Sequence, residues 1–286
     1  MTRLFRRARV LLEMIKFEHT IFALPFAYLG AFLAADGPPA PVTSLWILIA
    51  MAGARTAAMG FNRIVDLPFD KENPRTKDRA LPKGDADVAE AWVMVTVSAA
   101  LYFLAAYELN RLAFLLSPVV LATVLCYSYT KRFTPLCHLF LGLAIGIAPA
   151  AGWIAVKGHV GLIPLILSGG VVFWVAGFDV LYACLDQGFD RAFGLRSIPA
   201  DFGMKKAFLI SGLFHASAFV AFGSVGILAD LNWIYYLGMI ITFVLLVTQR
   251  MVISPNDLSK MDMAFFTFNG AISVILFSAT ALSLAW

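Results

Sequence analysis

The chain has 286 residues, 60% hydrophobic and only 14% charged, with a formal net charge of +4. A composition this apolar excludes an ordinary soluble domain, and the small positive excess is too thinly spread to describe a nucleic-acid-binding surface. Runs of about twenty apolar residues, each long enough to cross a roughly 30 Å hydrocarbon core as a helix, mark an integral membrane protein.

In chain order, residues 1–16 carry five basic residues ahead of the first apolar run, and no small-residue cleavage signature follows. This opening reads as a retained cytoplasmic anchor, not a signal peptide. The apolar runs predict helices over 17–35, 43–65, 87–107, 112–130, 135–156, 161–184, 206–229, 232–249 and 262–285. The expected fold is therefore all-α: one polytopic membrane domain over 1–286, with about nine transmembrane helices around a central cavity. Between spans, the connections after the first, third, fifth and seventh hold only Arg111 and Lys157 as basic residues. The positive-inside rule then places the N-terminus and the remaining connections in the cytoplasm.

Charge concentrates between Asn62 and Gly84, at the end of the second span. Asn62, Asp66 and Asp70 come first, and Arg75, Lys77, Asp78, Arg79 and Lys83 follow. At 100° per residue, Arg55, Asn62 and Asp66 fall within about 40° on one helical face, so they converge on one cavity. Pro68 strains a continuing helix, so the helix is expected to loosen near 65–67 and leave Asp70 in the loop. An arginine two turns inside an apolar span is costly and points to function.

A second cluster repeats this spacing 120 positions later, Asp186-Gln-Gly-Phe-Asp190 against Asp66-Leu-Pro-Phe-Asp70. The match points to two related halves joined head to tail, each with an acidic mouth. Asp179, Tyr182, Asp186 and Asp190 share one face of a continuous helix, where three acids would repel one another without cations. Two such mouths suit one polyanion held through a hard cation, because Mg2+ takes one or two carboxylates together with phosphate oxygens and water. The fourth span closes with Tyr127 and Lys131 at i and i+4, on the same predicted side. The three cysteines have no CxxC spacing and read as packing residues; the four histidines form no ligand pair.

Taken together, these residues resemble the UbiA superfamily of intramembrane prenyltransferases, over essentially the whole chain. The family's first motif corresponds to Asn62, Asp66 and Asp70, and its second to Tyr182, Asp186 and Asp190 with Asp179 in front. Its YxxxK corresponds to Tyr127 and Lys131, and its RTxxRxLPxG loop to Arg75-Thr76, Arg79, Leu81-Pro82 and Gly84. Arg63 departs from the pattern, since many members have aspartate there.

The resemblance implies transfer of a polyprenyl group from polyprenyl diphosphate to a small aromatic acid, within the bacterial plasma membrane, in ubiquinone or menaquinone biosynthesis. The acceptor is 4-hydroxybenzoate or a related hydroxynaphthoate. Asp66, Asp70, Asp186 and Asp190 would hold Mg2+, Arg79 and Lys131 would meet the leaving diphosphate, and Asn62 would orient it. Tyr127 and Tyr182 would line the substrate site. Asp179 or Asp186 would accept the ring proton, and Arg55 would bind the acceptor's carboxylate in paired hydrogen bonds or reach the diphosphate instead. Two alternatives stand beside this reading: a haem- or chlorophyll-type prenyltransferase of the same family, and a secondary transporter, for which parallel halves and intramembrane acids are also familiar.

Overall fold

A computed structural model describes residues 10, 13–15 and 20–286. The N-terminal anchor, and the start of the first span, fall largely outside the described residues. Among the described residues nine long helices run α1 (Thr20–Ala35), α2 (Pro41–Glu72), α3 (Val88–Leu109), α4 (Arg111–Thr130), α5 (Cys137–Lys157), α6 (Leu162–Ala183), α7 (Met204–Leu228), α8 (Trp233–Met251) and α9 (Asn269–Ala285). A π-helical segment, Met263–Phe268, leads into α9. Eight candidate spans among the described residues are apolar enough and at least 18 residues long, and α1 is a shorter apolar helix packed among them.

Neighbours in sequence are neighbours in space, and α9 returns to α1, which in turn meets α2, so the helices form a closed ring. Helix starts follow local chemistry. Pro41 opens α2, where its missing N–H costs nothing. Asn110 caps α4 through the Ala113 N–H at 3.0 Å, and its amide also donates to the Ile154 carbonyl of α5. Helices α1 and α5 approach each other closely. A Cβ on Gly152 would lie 1.9 Å from the Ala27 carbonyl oxygen, and one on Gly30 would lie 2.0 Å from that of Pro149. Glycine at both positions lets two backbones touch, the usual membrane solution where lipid gives no hydrophobic drive.

Core density is uneven. The packing of α6 to α9 against α1 is solid, centred on Trp174, Phe26, Phe222 and Tyr235. The space among α1 to α5 is hollow instead, so the cavity is displaced into the N-terminal half.

Two local expectations are corrected. Helix α2 runs unbroken through Pro68 to Glu72, and Asp70 is a buried helical residue, not a loop residue. Proline removes one ladder donor, but the same turn gains others: Arg132 donates to the Val65 carbonyl at 2.7 Å, and Thr76 donates to the Asp70 carbonyl. The guanidinium of Arg132 also covers the Phe69 ring, 5.2 Å from its centroid. At the second motif the opposite happens. Helix α6 ends at Ala183, a 3-10 turn takes Cys184–Asp186, and a new helix covers Gln187–Ala192. The tighter turn interrupts the helix, so the four polar residues are not on one continuous helix.

Candidate active site

Two cavities adjoin inside the bundle. The first, about 220 Å³, is an apolar chamber among α1 to α5, and Arg55 is the one charged side chain among the described residues lining it. The second, about 290 Å³, is polar and lies where α2, α4 and α6 end; Asn62, Arg75, Arg79, Lys131, Asp179 and Tyr182 line it. Met59, Tyr127, Leu141 and Phe265 border both. Phe265 comes from the π-helical segment and packs on Tyr182, 4.3 Å between centroids. One irregular turn thus supplies part of the boundary between the two spaces.

The acids are met by bases from other elements. Lys131 donates to Asp66 at 2.8 Å, and Asn62, one turn earlier on α2, donates to the same oxygen at 3.0 Å. Asn62 also reaches Ser128 at 3.4 Å. One Arg79 nitrogen donates to both Asp70 oxygens at 2.8 Å. Arg75 crosses to the second motif and forks onto both oxygens of Asp186, with Nε at 2.9 Å from Oδ1. Asn73 adds a third donor to Asp186 at 3.1 Å. Burial works against the Arg75 charge, but the bonds and charge of Asp186 outweigh it and hold the guanidinium above its ordinary pKa. Asp190 is held differently, by the neutral Ser197 hydroxyl at 2.9 Å.

The residues picked out by pattern therefore gather at one end of the bundle, except Arg55, which is deeper in the apolar chamber. Asp179 lines the polar cavity but makes no pair with the other acids; His138 meets it at 2.7 Å. Arg63, the departure from the family pattern, is a buried part of the cavity wall, and its Nε donates to the Met14 carbonyl. Cys137 also lines the polar cavity. Pattern reasoning missed Asn73, Ser128, His138 and Ser197. Asn73 and Ser128 sit within the charged stretch and beside Tyr127, where a short polar residue at a helix end was a usable signal. His138 pairs with a residue 41 positions away, and no local pattern announces that.

Could these residues hold a divalent cation? Among the described residues, no three acidic, histidine or cysteine side chains converge closely enough to enclose an ion by themselves. The donor set nevertheless fits a hard cation, since four aspartates arrive as two pairs from facing elements. Asp66 Oδ1 is buried without a hydrogen-bond partner, an oxygen left over for a ligand. An ion there would need phosphate oxygens to complete its shell, which is the way Mg2+ is ordinarily bound.

Similarity to known proteins shows the family and the fold. Residues 23–271 match the model of the UbiA prenyltransferase family. The 4-hydroxybenzoate octaprenyltransferase of Klebsiella pneumoniae is 30% identical over 285 residues, 98% of this chain and 94% of that one. The apo structure of a UbiA homologue from Aeropyrum pernix K1 is 36% identical, with a TM-score of 0.85 over 93% of this chain and 98% of that one. A UbiA homologue from Archaeoglobus fulgidus, solved bound to GPP and Mg2+, shares the fold at 19% identity and a TM-score of 0.71, over 97% of this chain and 100% of that one. The transporter alternative falls with these matches: this chain belongs to the UbiA prenyltransferase family and is a transferase.

Proposed function

We propose that the protein transfers a polyprenyl group from its diphosphate to a small carboxylated phenolic ring, 4-hydroxybenzoate or a hydroxynaphthoate. The observation that carries this reading is Arg55: a guanidinium set in an otherwise apolar chamber that adjoins a polar cavity rich in bases. A carboxylate is the ligand such a group pairs with in two parallel hydrogen bonds. The chamber's remaining walls suit an aromatic ring and an isoprenoid tail.

The donor's diphosphate would sit in the polar cavity against Arg79, Lys131 and Arg75. In the structure these bases neutralise Asp70, Asp66 and Asp186. Substrate would exchange these partners, and the acids would turn to Mg2+, held by Asp66 and Asp70 on one side and Asp186 and Asp190 on the other. Bound there, Mg2+ supplies positive charge to the diphosphate as the C–O bond breaks. Lys131 and Arg79 share that load, and Asn62 keeps Asp66 oriented. Electrons of the C–O bond leave with diphosphate, a ring carbon's π pair closes the new C–C bond, and loss of the ring proton restores aromaticity. Phe265 and Tyr127, at the boundary, keep water from the cation. With the basic connections facing inward, the polar cavity opens to the cytoplasm.

The test is Mg2+-dependent transfer from a labelled polyprenyl diphosphate in membranes, with 4-hydroxybenzoate and 1,4-dihydroxy-6-naphthoate offered separately. Product from one acid alone fixes the acceptor. Diphosphate release without either product overturns the acceptor reading and favours another ring, a tetrapyrrole included.

A further inference from the structure

Asp179 and His138 form a buried pair that the diphosphate chemistry does not use. His138, on α5, is 2% exposed, whereas the Asp179 side chain on α6 keeps 22% of its surface open toward the polar cavity. The ring is bonded at both nitrogens: Nδ1 faces Asp179 Oδ2 at 2.7 Å, and the Ile198 backbone N–H points at Nε2 at 3.2 Å. A carboxylate oxygen 2.7 Å from Nδ1 can only accept, so Nδ1 carries a hydrogen there and donates it to Asp179. His138 then has one function toward Asp179: it donates a hydrogen bond and holds one carboxylate oxygen, leaving the other to the cavity.

We propose that His138 is a positioning residue that aims Asp179, and that Asp179 is the carboxylate taking the ring proton during prenyl transfer. This rests on the aromatic-acceptor reading above. Asp186, the other acid considered for the step, is bonded by Arg75 on both oxygens and by Asn73, and it belongs with the diphosphate. Asp179 precedes it by seven residues of mostly helical chain, roughly 10 Å deeper at 1.5 Å per residue. It is therefore nearer the Tyr127 and Phe265 boundary, where a ring anchored on Arg55 would present its reacting carbon. In the step, the C–H electron pair returns to the ring, the proton passes to the Asp179 oxygen, and the resulting carboxylic acid loses it to water after product leaves. His138 keeps its own proton throughout.

A helix-to-helix staple would need only the hydrogen bond, so the test reads the proton step itself. Full-length enzyme in membranes is assayed with acceptor carrying hydrogen or deuterium at the alkylated ring position, for wild type, Asp179→Asn, His138→Leu and His138→Gln. Glutamine keeps a donor for Asp179 and adds an acceptor for the Ile198 N–H. Wild type should show no isotope effect on kcat, because proton loss follows the difficult ionisation. Asp179→Asn and His138→Leu should lower kcat about 10–100-fold with an unchanged donor KM, and each should show a primary isotope effect of about 2 or more, as proton loss becomes limiting. His138→Gln should recover most of the rate and abolish the isotope effect. Asp179→Asn is close to isosteric, so it reports even if the leucine variant fails to fold. A slowed Asp179→Asn without an isotope effect, or wild-type rates in it, would overturn the proposal. Wild-type enzyme that prenylates neither aromatic acid would instead overturn the functional reading beneath it.

Discussion

The two acidic motifs look alike in sequence and are built in opposite ways. The first is one uninterrupted helix, α2, whose acids are 5% and 6% exposed and each face a base, Lys131 or Arg79. The second is broken by a 3-10 turn, its acids are more open, and one of them, Asp190, is held by a hydroxyl. Equal spacing therefore does not give equal mouths. The first motif is a rigid wall fixed by its own helix, and the second is set by what docks against it, namely Arg75 and Asn73 from the first motif's loop and Ser197 from its own. The asymmetry suits a site where one side stays fixed and the other adjusts around a substrate.

The comparison can be broken most forcefully at the rigid wall. Asp66→Ala removes the buried oxygen that has no protein partner, and kcat/KM for labelled prenyl transfer should fall about 10³-fold or more; chelation of Mg2+ should do as much. Arg55→Ala should raise the acceptor's KM about 10–100-fold, the worth of a charged hydrogen bond, while the donor's KM stays within about twofold. The reverse ranking would sink its assignment to the carboxylate. On the adjustable side, Asn73→Ala removes one of three donors to Asp186 while Arg75 still holds it, so steady-state turnover should drop only about tenfold, with the donor's KM rising. Smallest of all is Pro68→Ala. If α2 is already continuous there, activity should stay within about twofold, and the detergent melting temperature should rise by a few degrees as the lost ladder bond is restored. A large loss of activity would mean that the proline shapes the mouth.

Membrane class, helix count and the ends of most spans were legible in the sequence, because apolar length alone dictates a spanning helix when the backbone must satisfy itself. The same reading identified the acids, Tyr127, Lys131 and Arg55, since polar groups at regular spacing in an apolar run are costly enough to require a use. The chain's local rules could not say which base meets which acid. Lys131 finds Asp66 across 65 residues, and Arg75 finds Asp186 across 111, distances at which no periodicity speaks. Pro68 misled for the same reason: its cost is local, but Arg132 comes from the turn after α4, far along the chain. His138 carried no signal at all, because its meaning depends on Asp179 and on one backbone N–H at Ile198. Composition and spacing thus determined what kind of protein this is and where along the chain its charges cluster. Tertiary packing decided the pairing, the break in α6 and the off-centre chamber, because each depends on contacts between segments far apart in the chain.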